Sequence, residues 1–303
     1  MSLGEIQQVS KGIYAYLQPD GGWGLNNTGF LVSGDGVISI DVAMTERRTR
    51  AYLDAIGTVT GLPVRTLVNT HHHGDHTHGN YLVSGATIVG HERCREEILA
   101  AAIPPPPGIW TDVDWGKLEP APPFLTYTEG ITLWSGSLRC DVRYVGTPAH
   151  TTNDSIIHIP DRSVVFTGDL LFNGGTPFAL AGSVSGWIEV LQTVLRPLGA
   201  QTLVPGHGPV CGPEVIDDTL AYLRFVQDTA RAGKAAGLSP LEAARATDLG
   251  EFADLLDPER IAGNLHRAYL EVDGGERGAP ADRARACGDM IAYNGGRPLT
   301  CHA

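Results

Sequence analysis

The stretch Thr70-His71-His72-His73-Gly74-Asp75-His76 constrains this chain more than any other. Four imidazoles and a carboxylate fall within six residues, between the apolar run Thr66-Leu67-Val68 and a glycine-containing turn. A folded interior cannot hold that many polar groups without giving each a partner. Neutral imidazole and carboxylate are good ligands for zinc, and for iron or manganese. The competing readings are a solvated histidine-rich loop or a fragment of an affinity tag. The tag reading fails because the cluster is internal and interrupted by Gly74 and Asp75. A metal site is therefore the working expectation, and the rest of the chain has to supply the missing ligands.

Before the cluster, β-type runs alternate with turns. Residues 13–17 form one run, and residues 28–32 and 37–42 form two more around Ser33-Gly34-Asp35-Gly36, the pattern of a hairpin. Residues 46–59 change period: Tyr52, Leu53, Ile56 and Val59 recur at helical spacing, with Gly61 and Pro63 beyond. After the cluster come a strand over 86–89 and a helix over 92–103. Residues 103–128 differ: four prolines open the segment at 104–107, three more follow, and Trp110 and Trp115 lie between. Such a stretch makes neither a regular helix nor a sheet interior, so it reads either as a loop at a site mouth or as a strap packed by its own tryptophans.

Strands then return over 131–134, 142–145, 155–159 and 164–166. A faint internal echo appears. Residues 37–41 and 164–169 are both apolar strands ending in aspartate, each followed by a helix candidate and by a strand that leads to histidine. In the second half the helix covers 186–198, the strand 202–204, and the histidine is His207. Two such halves predict a sandwich of sheets with helices outside. Beyond Gly212 the strand pattern stops. Helices are expected over 213–232, after the cap sequence Ser239-Pro240-Leu241-Glu242, and from Asp257-Pro258-Glu259 to Gly274-Gly275, with 297–303 frayed. This divides the chain into residues 1–212 and a helical extension over 213–303.

Composition sets outer limits. The 303 residues suffice for a sizeable core. A net charge of −12 leaves no basic excess to pair with phosphates, which argues against nucleic acid as a partner. Cys94, Cys140, Cys211, Cys287 and Cys301 are odd in number and show no C-x-x-C, so reduced thiols are expected. Residues 1–20 lack the charged-then-apolar pattern of a signal peptide, and no run approaches the roughly 20 apolar residues of a membrane span. The expectation is a cytoplasmic protein that acts on a small molecule, with no membrane partner and homo-oligomerisation left open.

Three further polar residues sit at turns or strand ends: His150 in Pro148-Ala149-His150-Thr151, Asp169 after Phe166-Thr167-Gly168, and His207 in Pro205-Gly206-His207-Gly208. Each alone is weak. Together with His71-x-His73-x-Asp75-His76, in this order, they resemble the metallo-β-lactamase superfamily over about residues 5–212. The resemblance implies an α+β fold, a four-layer αβ/βα sandwich with metals at one edge between the sheets. It implies that His71, His73 and His150 hold one divalent ion, that Asp75, His76 and His207 hold a second, and that Asp169 bridges both. Zinc is the expected metal, with iron or manganese as alternatives. Asp41 corresponds to the family's early-strand aspartate, which braces the ligand loop and is not itself a ligand.

Asp169 points away from antibiotic-cleaving members, which typically lack that bridging residue, and toward members that resemble glyoxalase II thioesterases, lactonases and esterases. No Lys/Arg cluster of the kind a glutathione tail would invite lies near residue 303. The implied reaction is hydrolysis of a thioester, ester or lactone by a hydroxide bridging the two ions, with Asp75 as the catalytic group that orients it and accepts its proton. Trp23, Trp110, Trp115, Phe172, Phe178 and Trp187 are candidates for the substrate walls, and as a set they favour an apolar or aromatic acyl group. The alternatives are a mononuclear iron dioxygenase of the persulfide type, a weak β-lactamase, and a non-catalytic member.

Overall fold

The computed structural model describes residues 3–303. The first half opens with β1 (Glu5–Ser10), β2 (Ile13–Leu17), β3 (Thr28–Ser33) and β4 (Gly36–Ile40). Helix α1 (Glu46–Val59) follows, then β5 (Val64–Val68), the single-turn α2 (Gly74–Thr77), β6 (Thr87–His91), α3 (Glu92–Ala100) and β7 (Leu125–Tyr127). The second half runs through β8 (Gly130–Ser135), β9 (Leu138–Tyr144), β10 (Ser155–Ile159), β11 (Val164–Phe172), α4 (Val184–Val190) and β12 (Thr202–His207). Four helices complete the chain: α5 (Glu214–Ala235), α6 (Pro240–Ala246), α7 (Arg260–Val272) and α8 (Arg283–Tyr293).

Two sheets result. The first has the order β1-β2-β3-β4-β5-β6-β7, and the second β12-β11-β10-β9-β8. In the first, β1 to β4 pair antiparallel and β4 to β7 parallel. In the second only β11 and β12 are parallel. Side chains alternate along a strand, and here the two faces enter separate cores. Ile13, Leu31, Ile38, Ile40 and Val68 of the first sheet meet Val142, Ile157, Val164, Phe166 and Val204 of the second. On the outer face of the first sheet, Tyr16, Phe30 and Val37 pack on Tyr52 and Ile56 of α1. On the outer face of the second, Ile156, Val165 and Leu203 pack under α4, α5 and α7. The layers are thus helix, sheet, sheet, helix, as expected from the sequence.

Local chemistry accounts for the elements. Thr45 caps α1 by accepting from the Arg48 amide, and Thr49, Tyr52 and Ile56 place its buried stripe. Ser239 and Glu242 form the capping box that opens α6.

The structure also departs from several expectations. Strand β1 and helix α8 carry too little periodicity to stand out in the sequence. The helix expected over 92–103 stops at Ala100, before the prolines. The helix expected over 186–198 begins at Val184, capped by Ser183, and loosens into a π turn at Leu191–Leu195. Helix α7 does not open on a capping box; Glu259 makes no cap bond. Residues 297–303 are held rather than frayed. Thr111 donates to the Leu299 carbonyl at 2.9 Å, and Arg48 donates to the His302 carbonyl at 2.5 Å. Trp187 is a core residue, 0% exposed, with its indole N–H on the Leu170 carbonyl. It is not a substrate wall. None of the five cysteines is disulfide-bonded. No helix among the described residues is long and apolar enough to cross a membrane.

Candidate metal centre

The ends of β4, β5, β11 and β12 converge at one edge of the sandwich, and the polar residues singled out in the sequence lie there. Strand β5 ends at Val68, and the chain turns on Asn69. Its side chain exchanges hydrogen bonds with Asn80 and donates to the His76 carbonyl. Asp41, just past β4, accepts from the Thr70 amide at 2.8 Å, the Thr70 hydroxyl at 2.7 Å and His76 Nδ1 at 2.8 Å. That carboxylate fixes the start of the histidine loop and the ring of its last member. The second half is tied to the first by the Ser155 amide donating to the Thr70 carbonyl.

His71, His73, His150 and Asp169 form one group and Asp75, His76 and His207 another. Within each, the candidate ligand atoms lie within 4.8 Å of one another. Asp169 lies between the groups. Its carboxylate oxygens are 3.0 Å from His76 Nε2, 3.3 Å from His150 Nε2 and 3.4 Å from His207 Nε2. Asp75 Oδ2 is 3.3 Å from His207 Nε2. Gly206 makes room for this centre: a Cβ there would lie 1.9 Å from Asp169 Oδ1.

Most of the imidazoles are oriented from behind. Nδ1 of His150 faces the Phe178 carbonyl at 2.5 Å, that of His207 the Gly21 carbonyl at 3.0 Å, and that of His71 the Thr70 hydroxyl at 3.0 Å. With His76 on Asp41, four rings have Nδ1 engaged and Nε2 turned toward the centre, the arrangement that suits a metal ligand. His73 differs, presenting Nδ1, 2.9 Å from His150 Nε2.

These residues fit divalent ions on their own terms. His71 Nε2 is buried without a hydrogen-bond partner, an arrangement that costs free energy unless something else occupies its lone pair. Burial and neighbouring imidazoles push His71 and His73 well below the usual histidine range, which leaves them neutral. Burial works in the same direction at His76 and His207, but nearby carboxylates prevail. Asp169, Asp41 and Asp75 hold His76 well above its ordinary value, and Asp169 with Asp75 lifts His207 to about 9. Burial would raise Asp169, yet His207, His76 and His150 pull it well below the ordinary carboxylate range. The carboxylates Asp41, Asp75 and Asp169 thus favour positive charge at the centre.

A cleft of about 200 Å³ opens onto the centre. Trp23, Met44, Trp110, Phe172, Phe178 and Arg260 line it beside His73, Asp75, His150, Asp169 and His207. Of the wall residues expected from the sequence, Trp23, Trp110, Phe172 and Phe178 are present. Trp115 is set back against His78, with ring centroids 6.3 Å apart. His72 belongs to neither ligand group; its Nδ1 lies 3.0 Å from the Asn153 amide. His78 is packed in the cleft wall. Sequence reasoning missed Met44 and Arg260. Arg260 lies about fifty residues past the last candidate ligand in a helix with no motif, so nothing local could mark it.

Comparison with known proteins bears on this geometry. A hydroxyacylglutathione hydrolase of Rhodospirillum rubrum is 29% identical over 181 residues, 59% of either chain. One of Brucella ovis is 29% identical over 144 residues, 46% of this chain and 47% of that relative. The chain thus spans only about half to three-fifths of the length of these relatives. Among solved structures, a metallo-β-lactamase from Pontibacter korlensis superposes with a TM-score of 0.62 at 20% identity, over 73% of this chain and 99% of that one. The DIM-1 metallo-β-lactamase gives 0.58 at 19% identity, over 73% and 97%. At such identities these structures speak to the fold alone. The family model described as metallo-beta-lactamase superfamily matches residues 21–207, a span that holds every candidate ligand. On this match, and on the sandwich that carries it, the chain belongs to the metallo-β-lactamase superfamily.

Proposed function

We propose that this protein is a dinuclear metal-dependent hydrolase that cleaves a thioester, ester or lactone of a small apolar or aromatic acyl compound. The observation that carries the reading is Asp169, whose one carboxylate faces nitrogens of both ligand groups within 3.4 Å. In this reading His71, His73 and His150 hold one ion, Asp75, His76 and His207 the other, and Asp169 both. Two zinc ions would supply charge stabilisation for a polarised carbonyl and lower the pKa of an attacking water. Asp75 is the most exposed of the site carboxylates, its side chain 17% open, and it orients that water and takes its proton. Asp41 and the Phe178 and Gly21 carbonyls keep the imidazoles in register, and the aromatic cleft binds the acyl group and excludes bulk water. The resemblance to enzymes named for hydrolysis of a hydroxyacylglutathione favours an acyl–sulfur bond. We place the activity in the cytoplasm, on a small molecule and without nucleic acid.

The test is metal content measured with turnover of a panel of thioesters, lactones, aryl esters and β-lactams. About two zinc per chain and hydrolysis without oxygen uptake are expected, and Asp75→Ala and His150→Ala should each cost about a hundredfold or more in kcat/KM. One iron per chain with oxygen consumed on a sulfur substrate would replace this reading with a dioxygenase.

A further inference from the structure

Trp23 stands between Gly22 and Gly24 in the connection from β2 to β3, where a single indole would have few constraints on its position. In the folded chain it is clamped from the start of α7. Its indole N–H donates to Glu259 Oε1 at 2.7 Å, and the Arg260 guanidinium lies 3.8 Å from the ring centroid. Arg260, only 1% exposed, is itself held by the Thr176 carbonyl and the Asp257 carboxylate, each at 2.8 Å. Both clamping residues are buried, so each needs the partner it has.

The indole then meets Trp110 at 5.0 Å and Phe178 at 5.1 Å, both edge-on. Phe178 rests on Gly263 of α7, where a Cβ would come within 2.8 Å of its ring. Trp110 is bridged to Leu299. Glu259, Arg260, Gly263 and Leu299, on which Trp23, Phe178 and Trp110 rest, all lie beyond the family match at 207.

We infer that Glu259 and Arg260 are the positioning residues of the acyl-binding wall. Acting through Trp23, they set a preference for planar aromatic acyl groups over small ones. This rests on the hydrolase reading above for the bond that is broken, but the binding preference is independent of turnover. A fixed indole offers a flat surface without first having to be ordered, whereas a loose one must lose freedom on binding. Glu259→Leu removes the acceptor while keeping the bulk. Glu259→Gln keeps an acceptor for the indole N–H.

The experiment compares phenylacetyl and acetyl thioesters of one small thiol on the zinc-loaded full chain. The ratio of their kcat/KM values should fall about tenfold in Glu259→Leu, through KM of the aryl substrate, and stay within about twofold of the parent in Glu259→Gln. In parallel, phenylacetate binding is followed by quenching of tryptophan emission, in metal-free and loaded protein. Its Kd should rise about tenfold in Glu259→Leu and in Arg260→Lys, which loses the planar stack. If neither thioester is hydrolysed, the acyl–sulfur reading fails while the binding arm still decides the clamp. An unchanged Kd and ratio in Glu259→Leu, or a loss as large in Glu259→Gln, overturns the inference.

Discussion

Asp41 sits in the left-handed region at φ +55°, a conformation that aspartate and asparagine tolerate better than most residues. From there its carboxylate accepts three hydrogen bonds. Asp41→Asn tests that role without disturbing the backbone. The amide oxygen can stand in for Oδ2, which serves the Thr70 hydroxyl and His76, or for Oδ1, which serves the Thr70 amide, but not for both. The expected outcome is a 10- to 100-fold weaker hold on zinc, about the usual cost of losing such a supporting group, measured by competition with a chromogenic chelator. Retention equal to the parent would show that Asp41 only shapes the loop. Asp41 was legible in the sequence because it ends an apolar strand. Arg260 was not, because a lone arginine in a helix carries no sign of what it will lie against.

Among the elements, α3 shows how one histidine can be structural. His91 Nδ1 accepts from the Arg93 amide and caps the helix, while Nε2 lies 3.0 Å from the Thr128 carbonyl, the site of the proton in the neutral ring. Burial lowers its pKa from the ordinary value. The sign follows: as pH falls through about 6.5 the unfolded chain takes up this proton before the folded one, so stability declines on the acid side. His91→Asn keeps a cap acceptor that does not titrate. The urea midpoint should therefore drop less between pH 7.5 and 5.5 in that variant than in the parent. Equal slopes would remove His91 from the acid response. The same helix illustrates the limits of pattern: periodicity marked its start, but only the prolines decided its end.

For the whole molecule, the centre joins the two halves. His71, His73, Asp75 and His76 come from the loop after β5, whereas His150, Asp169 and His207 come from the second half. An ion that binds the folded arrangement and not the unfolded chain must stabilise the sandwich. At a hundred times its Kd it contributes about 2.7 kcal/mol, or about 4 °C in Tm for a chain of this size. Calorimetry in zinc and in chelator should show that gap, and Asp169→Asn should remove most of it. No shift in the parent would mean that the groups do not share an ion in the folded state. Helices α5 and α7 contribute at this scale too, since Leu220, Leu223, Ile261 and Leu265 enter the same core as Trp187.

The sequence by itself determined the loops that carry the candidate ligands, the alternation of strands and helices, and through them the sandwich. Each of these is written in neighbouring residues: a period of two or of 3.6, a cap, a glycine or proline where the backbone must turn, several imidazoles in one run. Only the tertiary structure decided which aromatic residues form the cleft and what holds them. Trp187 and Trp23 look alike in sequence, yet one fills the core under α4 and the other faces the metal centre. The physical reason is range. Burial of an aromatic ring, and the partner of an indole N–H such as Glu259, 236 positions away, depend on packing between segments that no local pattern encodes.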